Sequence, residues 1–169
     1  AGDIILGIAS SGAHSNGYSL IRKVITTNHI DLHSNFDGRT LANVLMAPTK
    51  IYVRSILKLI ESIEIRAMAH ITGGGITENI PRILPKGLSA VIDKKSWKLP
   101  LLFEWLKDEA GLNDIELYKT FNCGIGMAIM VAKDDVEKAT EILKASGEEV
   151  FVIGEVKKIS NNDVPVQYI

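Results

Sequence analysis

The stretch Ser10-Ser11-Gly12-Ala13-His14-Ser15-Asn16-Gly17-Tyr18-Ser19 constrains this chain more than any other. Before it lies Ile4-Ile5-Leu6-Gly7-Ile8-Ala9, an apolar run that reads as a buried strand; after it, Leu20, Ile21 and Val24 return at helical spacing. A strand, a turn of small hydroxyl and glycine residues, and a helix suit an anion, because free backbone N–H groups and the positive end of the helix dipole meet at the turn. Gly12 and Gly17 let backbone approach a ligand closely. Ser10, Ser11, Ser15 and Asn16 carry hydrogen-bonding groups, and His14 adds a titratable one. Helix capping accounts for the same residues without a ligand, with Ser15 or Asn16 as the N-cap. The turn has neither the Gly-Lys-Ser/Thr ending of a P-loop nor GxGxxG spacing. Both readings stay open on the residues alone.

At 169 residues the chain is long enough for one domain with a proper core and short for two. A composition of 46% hydrophobic and 23% charged residues is that of an ordinary globular protein. The formal net charge of −1 gives no electrostatic case for a nucleic-acid partner. No apolar run approaches the roughly 20 residues that span a bilayer, so no membrane partner is expected. The single cysteine, Cys123, excludes an intramolecular disulfide and fits a reducing cytoplasm, the expected location. The chain opens at Ala1-Gly2-Asp3 and enters a strand almost at once, which raises the expectation of a piece cut from a longer protein at a domain boundary, with a processed protein as the equal alternative.

Asn28 to Thr40 is polar and reads as a solvated loop. His29 and His33 stand four apart there, but the segment lacks a helical apolar period, the Glu of HExxH and a third ligand, so no metal site is assigned. Leu41 to Met46 predicts a short helix stopped before Pro48. Lys50 to Ile63 is the clearest helix, with Val53, Ile56, Leu57, Ile60 and Ile63 as its apolar stripe. A strand from Arg66 to Ile71 then runs into Thr72-Gly73-Gly74-Gly75, with Glu78 and Asn79 a turn further on. Three glycines cost on the order of 0.5–1 kcal/mol each relative to alanine, tolerable where backbone lies against something or φ is positive. Ligand contact by Gly73, Gly74 and Gly75 is favoured over a tight turn with Glu78 completing a capping box. His70, at the strand end, reads as packed and hydrogen-bonded.

Leu88 to Asp93 reads as a strand, and Pro100 sits at the first turn of a helix whose apolar face is Leu101, Leu102, Trp105 and Leu106. Trp97 and Trp105 read as packing residues. Gly111 ends that helix, and Asp114 is the expected cap of a short one through Thr120. Phe121-Asn122-Cys123-Gly124-Ile125-Gly126-Met127 is the third turn of interest, entering a strand from Ile125 to Ala132. Its two glycines suggest a bulge or a close backbone approach, Asn122 is a candidate ligand contact, and Cys123 reads as a buried structural thiol. A helix begins at Asp134-Asp135, buries Val136, Ala139 and Leu143 and ends at Gly147, and Val150 to Val156 and Val164 to Tyr168 close the chain as strands. Ile125 to Gly154 looks like a strand–helix–strand unit. Alternating strands and helices predict an α/β (α+β) layered domain with a mixed β-sheet covered by helices.

The three turns, together with Ala47-Pro48-Thr49-Lys50-Ile51-Tyr52-Val53, resemble the C-terminal half of phosphoribosylformylglycinamidine cyclo-ligase, also called aminoimidazole ribonucleotide synthetase. Four motifs in order, from the first strand nearly to the last, carry the resemblance; Ala13 departs from the proline expected in many relatives. The resemblance implies a single C-terminal α/β domain over residues 1–169, without the N-terminal half that forms the homodimer core and supplies most of the ATP and Mg²⁺ contacts. The Asp-Gly-Val-Gly-Thr-Lys type motif of that half is absent from these residues. It implies closure of the imidazole ring from formylglycinamidine ribonucleotide and ATP in purine biosynthesis, by an enzyme of which this chain alone is inactive. Under it, Ser10, Ser11, Ser15, Asn16 and Gly17 contact phosphate oxygens, and Gly73 to Gly75 offer N–H groups. Glu78 and Asn79 orient ribose or amidine, Asn122 adds a hydrogen bond, and His14 is the catalytic or orienting group, a structural histidine being the other reading. The alternatives are a stand-alone phosphate-ligand-binding module or another ATP-using member of the same superfamily.

Overall fold

Strand β1 (Ile4–Ala9) lies inside the sheet, and Ile5, Leu6 and Ile8 along it are fully buried. The computed structural model describes residues 1–159 and 164–169. In chain order β1 is followed by α1 (Tyr18–Thr27), the two-residue strands β2 (Asn35–Phe36) and β3 (Arg39–Thr40), α2 (Leu41–Leu45) and α3 (Val53–Ile60). Then come β4 (Ile65–His70), α4 (Gly75–Asn79), β5 (Leu88–Ile92), α5 (Leu101–Ala110) and α6 (Asp114–Thr120). The chain finishes with β6 (Ile125–Val131), α7 (Val136–Ala145), β7 (Val150–Lys158) and β8 (Val166–Tyr168).

Six strands form one sheet in the order β4-β6-β1-β7-β5-β8. All neighbours run antiparallel except β5 and β8, so the sheet is mixed, as the alternation of elements predicts. Both β6 and β7 oppose β1 and are therefore parallel to each other, joined through α7. Side chains alternate across a strand. Ile5, Ala128 and Met130 therefore join one core with α1, α2, α4, α5 and α6, while Leu6, Ile8, Ile129 and Val131 join another with α3 and α7. Among the described residues no helix is long and apolar enough to cross a membrane.

Four local expectations change. Within the polar interval, Asp37 (φ 50°) and Gly38 (φ 77°) form a two-residue turn that pairs β2 with β3. An Asp-Gly pair adopts that conformation readily, and the resulting hairpin is too short to show as a strand pattern. Asn113, not Asp114, caps α6, accepting from the Glu116 N–H while the Glu116 carboxylate accepts from the Asn113 N–H. Asp114 instead accepts from Lys107 and Lys94, which hold its carboxyl down to about 2. On α5, Phe103 replaces the half-exposed Leu101 in the buried face. The last change concerns α3, which is apolar on two sides. Tyr52, Ile56, Leu59 and Ile63 face the core, whereas Val53, Leu57 and Ile60 are 61%, 57% and 49% exposed.

The two sides of α3 predict opposite outcomes. Leu59→Ala should cost about 2–5 kcal/mol in denaturant unfolding, and Leu57→Ala no more than about 0.5 kcal/mol; comparable losses would contradict the assignment of faces.

Candidate functional site

Antiparallel pairing brings the three turns together. Because β1 and β4 both oppose β6, their last residues meet its first: Ala9 faces Ile125, and His70 faces Met127. The register of β1 on β6 skips Gly126, which is the bulge its glycines suggest. Backbone bonds close the junction, from Ser10 N–H to Gly124 O (2.8 Å) and from Ile71 N–H to Gly126 O (2.9 Å).

The first turn is then fixed by side chains. Asn16 is buried, and its Nδ2 donates to Ile71 O at 3.2 Å, joining the first turn to the second. Ser15 Oγ lies 3.3 Å from Thr49 Oγ1. Neither residue caps α1. Its N-cap is Gly17 at φ 71°, without a side-chain cap, so the capping reading of Ser15 and Asn16 does not hold. A Cβ on Gly17 would stand 2.2 Å from the Phe121 ring, so the first turn reaches the third only with glycine there.

Asn122 and Asn79 face inward. Asn122 is fully buried: its Oδ1 accepts from Ser10 Oγ and Gly124 N–H, and its Nδ2 donates to Gly12 O at 2.9 Å. Asn79 donates to the carbonyls of Thr72, Gly73 and Gly75 and accepts from Thr72 and Arg82. Both amides therefore brace the turns, and their polar atoms are occupied by the protein itself. Glu78 makes no capping box; its carboxylate lies 3.5 Å from Lys119 and 3.8 Å from Arg82. Within the glycine triplet the demands differ. A Cβ on Gly75 (φ 57°) would meet Tyr118 O at 2.1 Å, whereas one on Gly73 would meet nothing within 4 Å. Gly73 is the member with open space beside it.

His14 is held as an acceptor. It is only 4% exposed, at φ 56°, and its Nε2 receives the N–H groups of Ser11 (3.2 Å) and Lys50 (3.4 Å). Two donors on Nε2 assign the neutral ring its proton on Nδ1, which has no partner in the protein. Burial, then the neighbouring His70 and Lys50, lowers its pKa to about 4. His70 departs from expectation: it is exposed, with its ring 6.1 Å from those of both His14 and Tyr52. Cys123 is enclosed, as expected, with burial pushing its thiol pKa up.

A fourth segment completes the site. Ser11 Oγ donates to Pro48 O (2.6 Å), and Tyr52 donates to Ala9 O (2.9 Å), so Pro48 to Tyr52 lies against the first turn. Thr49, Lys50 and Tyr52 escape a reading based on glycine turns, although the motif spanning them is part of the resemblance. Between the segments lies a cavity of about 190 Å³ lined by His14, Ser15, Asn16, Thr49, His70 and Thr72. A second hollow of about 160 Å³ opens on the other flank of the first turn, beside Ser10, Ser11, Gly12, Phe36 and Arg39. Among the described residues no three His, Cys, Asp or Glu side chains gather as metal ligands.

Sheet and turns together define an α/β domain that presents a braced set of small polar turns at one end of a mixed sheet. The family model for the AIR synthase related protein, C-terminal domain, matches residues 1–166, and the chain belongs to that family. It is 54% identical to phosphoribosylformylglycinamidine cyclo-ligase of Methylobacillus flagellatus over 156 residues, 92% of this chain and 45% of that protein. It is 52% identical to the Nitrosospira multiformis cyclo-ligase over 158 residues, again 45% of that protein. The chain thus spans a little under half the length of these curated relatives. Among solved structures, hydrogenase maturation protein HypE in complex with ATP superposes with a TM-score of 0.65 at 18% identity, over 99% of this chain and 47% of that one. Thiamine-monophosphate kinase from Stenotrophomonas maltophilia gives 0.62 at 16%, over 99% and 50%. At these identities the likeness is one of fold, and it agrees with the mixed-sheet domain expected from the sequence.

A histidine whose pKa is lowered on folding binds fewer protons folded than unfolded between its unfolded value near 6.5 and about 4. Its contribution to stability is therefore full above that window and is lost as pH falls through it. His14→Gln should flatten this part of the stability–pH curve in denaturant unfolding at pH 4.5 and 7; an unchanged slope would contradict the neutral assignment.

Proposed function

We propose that this chain forms one wall of the active site of an ATP-dependent cyclo-ligase that converts formylglycinamidine ribonucleotide to aminoimidazole ribonucleotide, ADP and phosphate. The observation that carries the reading is the gathering of hydroxyl-bearing Ser15, Thr49 and Thr72 around one cavity, with the exposed Gly73 next in the chain, in a chain more than half identical to enzymes of that name. Ring closure requires the substrate's amide oxygen to leave. ATP phosphorylates that oxygen, the amidine nitrogen attacks the carbon, and phosphate departs carrying the oxygen. Such chemistry rests on positioning and charge stabilisation.

Ser15, Thr49 and backbone N–H groups at Gly12, Gly17 and Gly73 hold phosphate oxygens, and Ser10 and Ser11, whose hydroxyls donate to Asn122 and Pro48, hold the turn that presents them. Asn16, Asn79, Asn122, Gly74 and Gly75 act beneath them by fixing the turns, and Glu78 stands at the rim. His14, with Nε2 already occupied, orients the turn and offers no basic nitrogen to the reaction. Mg²⁺ and most ATP contacts are assigned to the N-terminal half of the longer enzyme.

The same half is assigned the apolar face of α3 and β4. Ile51, Val53, Leu57, Ile60 and Met68 are between 45% and 81% exposed and border a groove of about 510 Å³ that continues through Thr49 and His70 into the site. A face of this kind on a monomeric domain marks an interaction surface. The relatives carry more than half of their length outside the matched region, and a partner seated here adjoins the cavity.

In the longer enzyme, Ser15→Ala with Thr49→Ala should raise KM for the ribonucleotide about tenfold or more, two lost hydrogen bonds at roughly 1 kcal/mol each. Isothermal titration of this chain alone should show binding at least about tenfold weaker than the joined halves. Tight binding by the chain alone would favour a stand-alone phosphate-binding module, and an unchanged KM would remove the cavity from the site.

A further inference from the structure

We infer that Glu148 is a positioning residue for this site, clamping the segment Pro48–Lys50 against the first turn from behind. The inference rests on the site named under the proposed function but not on its chemistry.

Glu148 lies far along the chain from every turn described above, and only 8% of it is exposed. A carboxylate is costly to bury unless paired and hydrogen-bonded. Its backbone is anchored where α7 ends: Gly147 takes φ 86°, and the Glu148 N–H donates to Leu143 O at 3.0 Å. From that fixed point one carboxylate oxygen reaches Lys50 Nζ at 2.6 Å, and the other accepts from Ser55 Oγ. Lys50 and Ser55 flank the start of α3, whose N-cap residue Tyr52 makes no side-chain cap. The carboxylate thus ties both sides of that helix start to α7.

The opposite side of the segment meets the first turn through Ser11 Oγ to Pro48 O, Ser15 to Thr49, and Lys50 N–H to His14 Nε2. The first two of these contacts are exposed. Exposed bonds of this kind hold a loop weakly by themselves. The buried clamp behind them sets where Thr49 and the Lys50 N–H stand, and hence the tautomer and orientation of His14.

His14 reports on the clamp. The titratable and charged groups around it are His70 from β4, Tyr52 and Lys50 from the segment, and Glu148 behind Lys50. Losing the Glu148 charge alone disfavours the imidazolium and moves the His14 titration down. Releasing the segment withdraws the Lys50 N–H from Nε2 and admits water, which moves the titration up from about 4 toward 6.5. The two effects have opposite signs.

The test is nuclear magnetic resonance on this chain with E148Q and, because a charge-changing variant can fail to fold, S55A, which keeps both charges. The expected result is an upward shift of the His14 titration in each variant, in E148Q against the opposing effect of the lost charge. Exchange of the Lys50 amide should also accelerate about tenfold or more, with amides in β1 and β6 unaltered. An unchanged or lowered His14 titration with unaltered Lys50 exchange would overturn the inference; should E148Q not fold, S55A alone decides on the same criteria. Failure here would leave the proposed cyclo-ligase reading standing, since neither readout involves turnover.

Discussion

One buried amide holds the ends of the site in register. Asn122 joins Ser10 and Gly12 of the first turn to Gly124 of the third, across more than a hundred residues of chain, with no exposure to solvent. A buried amide left unpaired costs roughly 1–3 kcal/mol for each unsatisfied group, so the conformation that satisfies Asn122 is strongly selected. That conformation places the end of β1 beside the start of β6, and the end of β4 follows because it pairs with the same strand. The exposed hydroxyls of Ser15 and Thr49 inherit their positions from this junction.

The polar residues divide into two layers. Asn16, Asn79 and Asn122 are buried and bonded to main chain, whereas Ser11, Ser15, Thr49 and Gly73 are exposed. His14 belongs to the first layer: two backbone donors on Nε2 and a lowered pKa keep it neutral, so it acts on the geometry of the turn.

Much of this was legible in the chain. An apolar run such as Ile4 to Ala9 admits few structures other than a buried strand, and helices with clear apolar periods and terminal glycines, such as α5 and α7, announce their limits. The convergence of the turns follows from strand pairing, which no local pattern encodes. Whether an asparagine meets ligand or braces backbone is equally hidden, because the same amide serves both. The stripe on α3 misled for a related reason: an amphipathic pattern marks a face that avoids water, without saying whether the core or another surface covers it. Asp37-Gly38 carried a readable hairpin signal, overshadowed by the polarity around it. Glu148 carried none; its role exists only in the packing of α7 against α3.

The central claim is that three separated segments, braced by the turn that carries Asn122, form one phosphate-holding surface at one end of the sheet. Amide chemical-shift mapping of this chain titrated with ribose 5-phosphate tests it most directly, since the method detects weak binding. The account predicts perturbations concentrated at residues 11–16, 48–50 and 72–75, with β5 and β8 silent. Perturbations scattered over the surface, or gathered at the opposite end of the sheet, would contradict it.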